Sequence, residues 1–489
     1  MAVIGPNADD FDVLLANYNG YPTHYKTPLA GIREKLPDAE VTFAQGCELA
    51  PGMPYFTPIP ADCLFTDATK TQQGLHAVYA SGSGTESAGR TVEQTDSNIN
   101  FIWGEAAPAE GIDNERFTIT WTGVLAPETS GTYLLSAEAE QQFSFYMDDS
   151  LLLNVRTWNN PRKAYNFLTL EAGKTYRIRA EYSQDSTQYS MARLLWSAPN
   201  PHRLQQAIDI AKQSDVVILC LGLSPSLEGE EMPVIIEGFS GGDRIDIGLP
   251  RTQKALIKEL AALGKPIALV LLNGSAIALE DEAANLPAIV EAWYPGQQGG
   301  AAIADVLFGD YNPAGRLPLT FYKSADDIPE FINYDMQGKT YRYFTGTPLY
   351  EFGYGLSYST FEYAIKKVPQ TVSAGENIKI TAEVTNTGKI DGDEVVQLYV
   401  SLPGSNLKTP VRSLQGFRRI HLKAGERRKV EFTLTPAQIA ARDANNQAVV
   451  EPGGTVRISV GGRQPAPQAI AAKQVAVIEL KVAGEPAQL

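Results

Sequence analysis

Asp215-Val-Val-Ile-Leu-Cys-Leu-Gly222 is the stretch whose reading decides the fold. It is an unbroken apolar run that ends in glycine, with no alternation of polar and apolar positions. Such a run suits a parallel strand covered by helices on both sides, because neither face meets water. Its flanks agree. His202 to Gln213 has helical periodicity. Downstream, Pro250 begins a helix over Thr252–Leu263 that stops at Gly264. Pro266 to Leu272 and Ala288 to Trp293 read as two more strands, and Ala301 to Phe308 as a short helical run. The alternation of strand and helix predicts a mostly parallel sheet with right-handed crossovers.

Residues 1–60 supply further strands for the same sheet. Ala2 to Gly5 is a short strand, Thr27-Pro28-Leu29 opens a helix reaching about Leu36, and Val41 to Gly46 is a second strand. Residues 61–197 differ. Helical periodicity gives way to alternating segments: Phe117–Gly123, Gly131–Glu138, Gln142–Asp148, Thr175–Tyr182 and Ala192–Trp196. Short strands of period two separated by turn residues predict an antiparallel sandwich, inserted into one α/β domain made of 1–60 and 198–345. An aromatic, glycine-rich connector, 346–365, leads to a strand-rich third domain over 366–489. Its strands are expected at Ile378–Asn386, Glu394–Ser401, Arg428–Leu434 and Thr455–Val460.

Composition narrows the function. A chain of 489 residues exceeds one hydrophobic core, and 44% hydrophobic with 20% charged residues is a globular composition. No apolar run approaches the ~20 residues needed to span a bilayer, so no membrane partner is expected. A net charge of −15 argues against nucleic acid, whose phosphates need clustered Lys and Arg, and suits a neutral substrate such as a sugar. Cys47, Cys63 and Cys220 read as free buried thiols in preference to a Cys47–Cys63 pair. The four histidines are scattered, and no metal site or cofactor motif is expected. No signal peptide precedes the first strand, and a chain that opens mid-strand reads as a piece of something longer.

The acidic loop Leu227-Glu-Gly-Glu-Glu231 follows the Asp215–Gly222 strand. Open α/β sheets bind ligands beyond the carboxyl ends of their strands. Glu228, Glu230 and Glu231 can therefore be a carboxyl general acid over a cleft. Local sequence alone favours the plainer reading, a solvated acidic turn.

A wider set of motifs bears on that choice: Val3-Ile-Gly-Pro-Asn-Ala8, the 227–231 loop, Gly241-Gly-Asp-Arg244, Leu249-Pro-x-x-Gln253, Asn273-Gly-Ser275, Trp293-x-Pro-Gly-Gln297-x-Gly-Gly300, Asp305-Val-Leu-Phe-Gly-Asp310, Asn312-Pro-Ala-Gly-Arg-Leu-Pro318, Tyr341-Arg-Tyr-Phe344 and Phe352-Gly-Tyr-Gly-Leu-Ser-Tyr358. Together they resemble the C-terminal half of a family-3 glycoside hydrolase of the bacterial β-xylosidase or β-glucosidase type, across 1–60 and 198–460. The last domain is similar to a fibronectin type III-like sandwich. The inserted block resembles the protective-antigen-type sandwich, on Phe117-x-x-x-Trp121-Thr-Gly, Gly131-Thr-Tyr133, Phe145-x-x-Asp148 and Leu195-Trp196.

The resemblance implies retaining, exo-acting removal of β-linked xylose or glucose from oligosaccharides or glycosides. The nucleophile would be an Asp on an N-terminal barrel, and the acid/base a Glu on the 227–231 loop, with the two carboxyl groups roughly 5–5.5 Å apart. Glu228-Gly229 fits the family's Glu-before-Gly pattern and is the first choice. Counting without gaps from Gly222 selects Glu230, and Glu231 is third. Asp243 and Arg244 read as an ion pair bracing the loop or as a sugar contact. Trp158, in a polar loop, is a candidate sugar contact, whereas Trp121 and Trp196 read as core. Trp293 reads as a buried strand-end residue, Asn273 and Ser275 as partners of backbone groups, and Arg316 and Pro318 as turn architecture.

The family's barrel marks are missing. There is no Lys-His dipeptide, and the Ser214-Asp-Val216 run begins a strand of the α/β domain. The expected partner is a family-3 barrel, in cis or as a separate chain, without which the chain is expected to be inactive; a homodimer is compatible with the sequence. Periplasmic or secreted localisation is what the resemblance suggests. The competing reading is a non-catalytic carbohydrate-binding or scaffolding protein that uses the inserted sandwich.

Overall fold

The computed structural model describes all residues except 83–88, 158–161, 186–188, 486 and 489. Trp158 falls outside the described residues. The chain forms two compact units. One comprises Met1–Ile245, Pro250–Gly274 and Asn285–Ile303, the other Asp246–Leu249, Ser275–Ala284 and Ala304–Leu489.

In the first unit the parallel sheet is present. Its strand order is Thr42–Ala44, Ala2–Ile4, Val217–Gly222, Ile267–Leu272, Ala288–Glu291, every pair being parallel. All six residues of Val217–Gly222 are buried, which is why that run carries no polar position. The strand begins two residues later than expected, since Asp215 is exposed. The last strand ends at Glu291, short of Trp293, which lies at φ +54° and turns the chain. The helix Pro28–Lys35 has proline in its first turn, and its N-cap Thr27 accepts from the Ala30 amide. The helix Arg251–Ala261 buries Gln253, Leu256, Ile257 and Leu260, a single stripe turned to the core.

Two antiparallel sheets make the sandwich within this unit. One runs Ser150–Arg156, Gln142–Met147, Tyr176–Asp185, Arg116–Leu125, Leu75–Ser81, Thr91–Asp96. The other runs Arg162–Leu170, Gly131–Ala139, Ser190–Ser197, Thr57–Pro58, with Asn100–Gly104 also pairing Ser190–Ser197. Trp121 and Trp196 lie in the core between them, as does Trp103. The Trp121 indole and the Tyr79 hydroxyl both donate to buried Asp96, at 2.7 and 2.6 Å. The sequence reading missed several of these strands, Arg162–Leu170 among them. That strand has exposed and half-buried positions in alternation, with only Leu170 fully buried, so its apolar signal is weak.

The second unit contains the C-terminal sandwich: Phe361–Lys367, Ile378–Asn386 and Arg427–Leu434 against Thr371–Ser373, Val475–Ala483, Thr455–Gly461, Gly392–Ser401 and Ser413–Leu422. Arg316 forks onto buried Glu394 at 2.9 and 3.0 Å. Asn312 donates to the Asp391 carbonyl and accepts from Ser357 Oγ and the Tyr358 amide. The Asn312–Pro318 motif is thus architectural, and Arg316 does more than shape a turn. Cys47, Cys63 and Cys220 are free and buried. No described helix is long and apolar enough to cross a membrane.

Candidate active site

The parallel strands deliver the loop, and buried amides fix their carboxyl ends. Gln253 accepts from the Gly222 amide at 2.9 Å and donates to the Gly222 and Leu49 carbonyls at 2.7 Å each. Asn7 donates to the Leu223 carbonyl at 2.8 Å. Two of the recurrent motif positions are therefore clamps at the mouth of the sheet, satisfying backbone groups that its end leaves unpaired. From there the chain turns at Ser224, whose carbonyl accepts from the Leu227 and Glu228 amides.

Beyond the turn the three acids part company. Glu228 is buried, 9% exposed. Its Oε1 accepts from the Gly274 amide at 2.7 Å and from the Tyr294 hydroxyl at 2.5 Å, while its carbonyl accepts from Asn17 at 3.0 Å. Gly274 has to be small: a Cβ there would come within 2.9 Å of the Tyr294 ring and 3.2 Å of Glu228 Oε1. Glu230 and Glu231 are exposed. Glu230 accepts a hydrogen bond from the phenol of Tyr18, itself 89% exposed. Glu231 sits at φ +48° where the chain reverses.

After the reversal a three-stranded ribbon, Ile235–Ile236, Phe239–Ser240 and Asp243–Arg244, folds back on the loop. The Gly229 amide donates to Gly242, and a Cβ on Gly242 would lie 1.9 Å from the Gly229 carbonyl oxygen; with φ at +90° this position accepts only glycine. Asp243 is exposed and Arg244 half-buried. Both sit in the ribbon, and the Arg244 charge acts on the Tyr294 hydroxyl.

Burial dominates the electrostatics. It pushes the Glu291 carboxyl up to about 8, with the Glu228 charge adding to the rise and the Trp293 amide and Asn273 side chain opposing it. The Tyr294 phenol is raised as well, by burial first and then by the charge and hydrogen bond of Glu228; Arg244 offsets part of this. Both neighbours keep their protons at neutral pH.

The structure therefore brings Glu228, Arg244, Asn273 and Tyr294 together, with Glu230 and Asp243 toward solvent. Trp293 is half-buried, more open than the sequence reading held. Asn273 is fully buried. Tyr18, Asn17, Glu291 and Tyr294 escaped the sequence reading. Tyr294 occupied the unspecified place in the Trp293-x-Pro motif, and nothing local marks Asn17 or Tyr18, more than two hundred residues from the acids they meet.

An open α/β sheet thus carries buried and exposed carboxyl groups beyond the carboxyl end of one of its strands, with one antiparallel sandwich inserted in its sequence and another following it. The chain belongs to glycosyl hydrolase family 3: the family model for its C-terminal domain matches residues 1–358, and a fibronectin type III-like model matches 394–464. It is 36% identical over 468 residues to a xylan 1,4-beta-xylosidase of Xylanibacter ruminicola, covering 94% of this chain and 53% of that one. It is 40% identical over 266 residues to a periplasmic beta-glucosidase of Salmonella typhimurium, covering 51% of this chain and 33% of that one. A beta-glucosidase from Kluyveromyces marxianus, solved with glucose, superposes with a TM-score of 0.69 at 27% identity, covering 100% of this chain and 59% of that one. The chain spans about half the length of the xylosidase it matches.

Proposed function

We propose that this chain is the acid/base-bearing half of a retaining exo-β-glycosidase that releases β-linked xylose or glucose, with Glu230 as the proton-transferring group. The supporting observation is the division between the two leading acids. Glu228 is buried, with one oxygen engaged by both the Gly274 amide and the Tyr294 hydroxyl, which suits a residue that braces the loop. Glu230 is exposed on the same loop, with a phenol as its partner, where a glycosidic oxygen can reach it. This reverses the order of preference that the Glu-Gly pattern gave.

In this mechanism an Asp on the family's N-terminal barrel attacks the anomeric carbon while the Glu230 carboxyl protonates the departing oxygen. Glu230, now a carboxylate, takes a proton from the water that releases the sugar. Acid and nucleophile work on one bond as a unit, so the chain alone would have little activity. Glu228 and Tyr294 keep the loop in place, and Asp243 and Arg244 form one strand of the ribbon that folds back on it.

The test joins the chain to a family-3 barrel and follows an aryl-β-xyloside and an aryl-β-glucoside. Glu230→Gln is expected to lower turnover by on the order of 10²–10⁴-fold, with partial rescue by azide, a nucleophile that needs no general base. Near-normal turnover in Glu230→Gln together with azide-rescued loss in Glu228→Gln would transfer the role to Glu228. No turnover from two folded halves would sink the glycosidase reading.

A further inference from the structure

The inserted sandwich turns one sheet face outward, and that face is built in rungs. Along Gly131–Ala139 the residues Tyr133, Leu135, Ala137 and Ala139 point into the sandwich core. Leu134, Ser136 and Glu138 therefore point the other way, because successive strand residues alternate. Pairing sets Lys163, Glu138, Arg193 and Asn100 side by side as a charged rung. The next rung is Tyr165, Ser136, Leu195 and Pro58, and the one after it begins with Phe167 and Leu134. The chain near residues 6–12 and 49–58 lies over this face and leaves a cavity of about 620 Å³, within the ~300–1,000 Å³ of small-molecule sites. Ser224 and Ser226, at the start of the acid loop, line it, whereas Glu228, Glu230 and Glu231 do not.

Two observations point to a ligand. Ser136 Oγ and the Tyr55 hydroxyl both belong to cavity-lining residues, both are buried, and neither has a hydrogen-bond partner. Ser136 is 1% exposed. Buried hydroxyls without partners are rare, since each forfeits the water it would have bonded. The aromatic side of the cavity is equally uncommitted. Tyr165 and Phe167 are 53% and 71% exposed, and Tyr165 lies 5.6 Å from Phe56, ring centre to ring centre.

The charged groups of the lining are already engaged within the protein, Asp9 accepting from the Thr27 hydroxyl and Asp10 from the Asp12 amide. Arg193 bonds Glu138 at 2.7 Å and Lys163 bonds Asp12 at 3.1 Å. A charged ligand would have to break these pairs. A ligand with apolar C–H faces for the rings and neutral hydroxyls for Ser136, Tyr55 and the polar rung would leave them intact. That is the chemistry of a sugar ring.

We propose that this cavity binds a short stretch of a neutral oligosaccharide, at a site that reaches the start of the acid loop at Ser224 and Ser226 but none of its three glutamates. The site holds sugar without cleaving it, and its occupancy does not depend on the glycosidase reading of Glu230.

The test is calorimetric titration of the full chain with xylotetraose and with cellotetraose. Saturable binding of at least one is expected. Tyr165→Ala removes an exposed ring, and Ser136→Leu fills the cavity from the buried side. At least tenfold weaker binding in either variant, with a melting curve like that of the parent, supports the site. Phe331→Ala, an exposed ring in the other unit, is expected to bind as the parent does. Absence of saturable heat with both sugars would overturn the proposal. So would binding that both cavity variants leave intact, or binding lost in Glu230→Gln and retained in Tyr165→Ala, which would put the sugar on the acid loop.

Discussion

Two buried carboxylates in the first unit, Glu138 on the sandwich face and Glu228 under the acid loop, bond to different kinds of partner. Glu138 is 1% exposed and lies against cations, Arg193 at 2.7 Å and Lys163 at 3.7 Å. Glu228 has its Oε1 held by dipoles, an amide and a phenol. The surroundings register the difference. Tyr21 and Tyr165 are raised by burial and by Glu138, but Lys163 pulls both back, and Arg193 also opposes the rise of Tyr21. Next to Glu228, burial first, with the Glu228 charge adding to it, raises the Glu291 carboxyl to about 8 and leaves it protonated at neutral pH. The Glu138 cluster joins two strands of the sandwich face through paired charges, whereas Glu228 raises the proton affinity of the two groups beside it, Glu291 and Tyr294.

The contrast is broken most forcefully at the sandwich. Arg193→Met leaves Glu138 in the interior with only the more distant Lys163. Losing one member of a buried pair destabilises by roughly 3–5 kcal/mol, read as a lower denaturant midpoint for the first unit. Adding Glu138→Leu should recover most of the loss, since an apolar replacement removes the stranded charge. If the single substitution proves as stable as the parent, the cationic clamp is not what holds this face.

This difference was only half legible in the sequence. The parallel sheet could be read because Val217–Gly222 and Ile267–Leu272 are buried on both faces and so lack polar positions altogether. The acid loop was visible because three acids follow one of those strands. What each acid does was not, since it depends on partners such as Tyr18, Gly274 and Tyr294 that lie 46 to 212 residues away. The sandwich face was hidden for another reason. Arg162–Leu170 alternates, but its outward set, Lys163, Tyr165 and Phe167, mixes charge with aromatic surface, and only pairing with Gly131–Ala139 turns these into rungs. Trp158, the sugar contact that local polarity suggested, lies outside the described residues.

The dipole-held site is probed next through pH. The folded pKa of Glu291 is raised to about 8 from an ordinary 4.5. Between these values the unfolded chain releases the proton and the folded chain keeps it, so stability is full below about pH 4.5 and falls as pH rises toward 8. Glu291→Gln removes this linkage. It should be the more stable form at pH 7 by on the order of 2–3 kcal/mol and should flatten the decline of melting temperature between pH 5 and 8. A parallel decline in both proteins would place the titration elsewhere.

The smallest effect separates Glu228 from Glu230. Glu228→Gln keeps an oxygen for the Gly274 amide but gives up the charge that strengthens its two hydrogen bonds, so a loss of about 1–2 kcal/mol is expected in thermal unfolding. Glu230→Gln changes an exposed side chain whose partner is also exposed, and its melting curve should overlay that of the parent. The two substitutions alter the same chemical group two residues apart. If stability follows Glu228 while turnover with a supplied barrel follows Glu230, bracing and proton transfer belong to different side chains of one loop. If both follow Glu228, the buried acid does both jobs and the exposed one is a solvated neighbour.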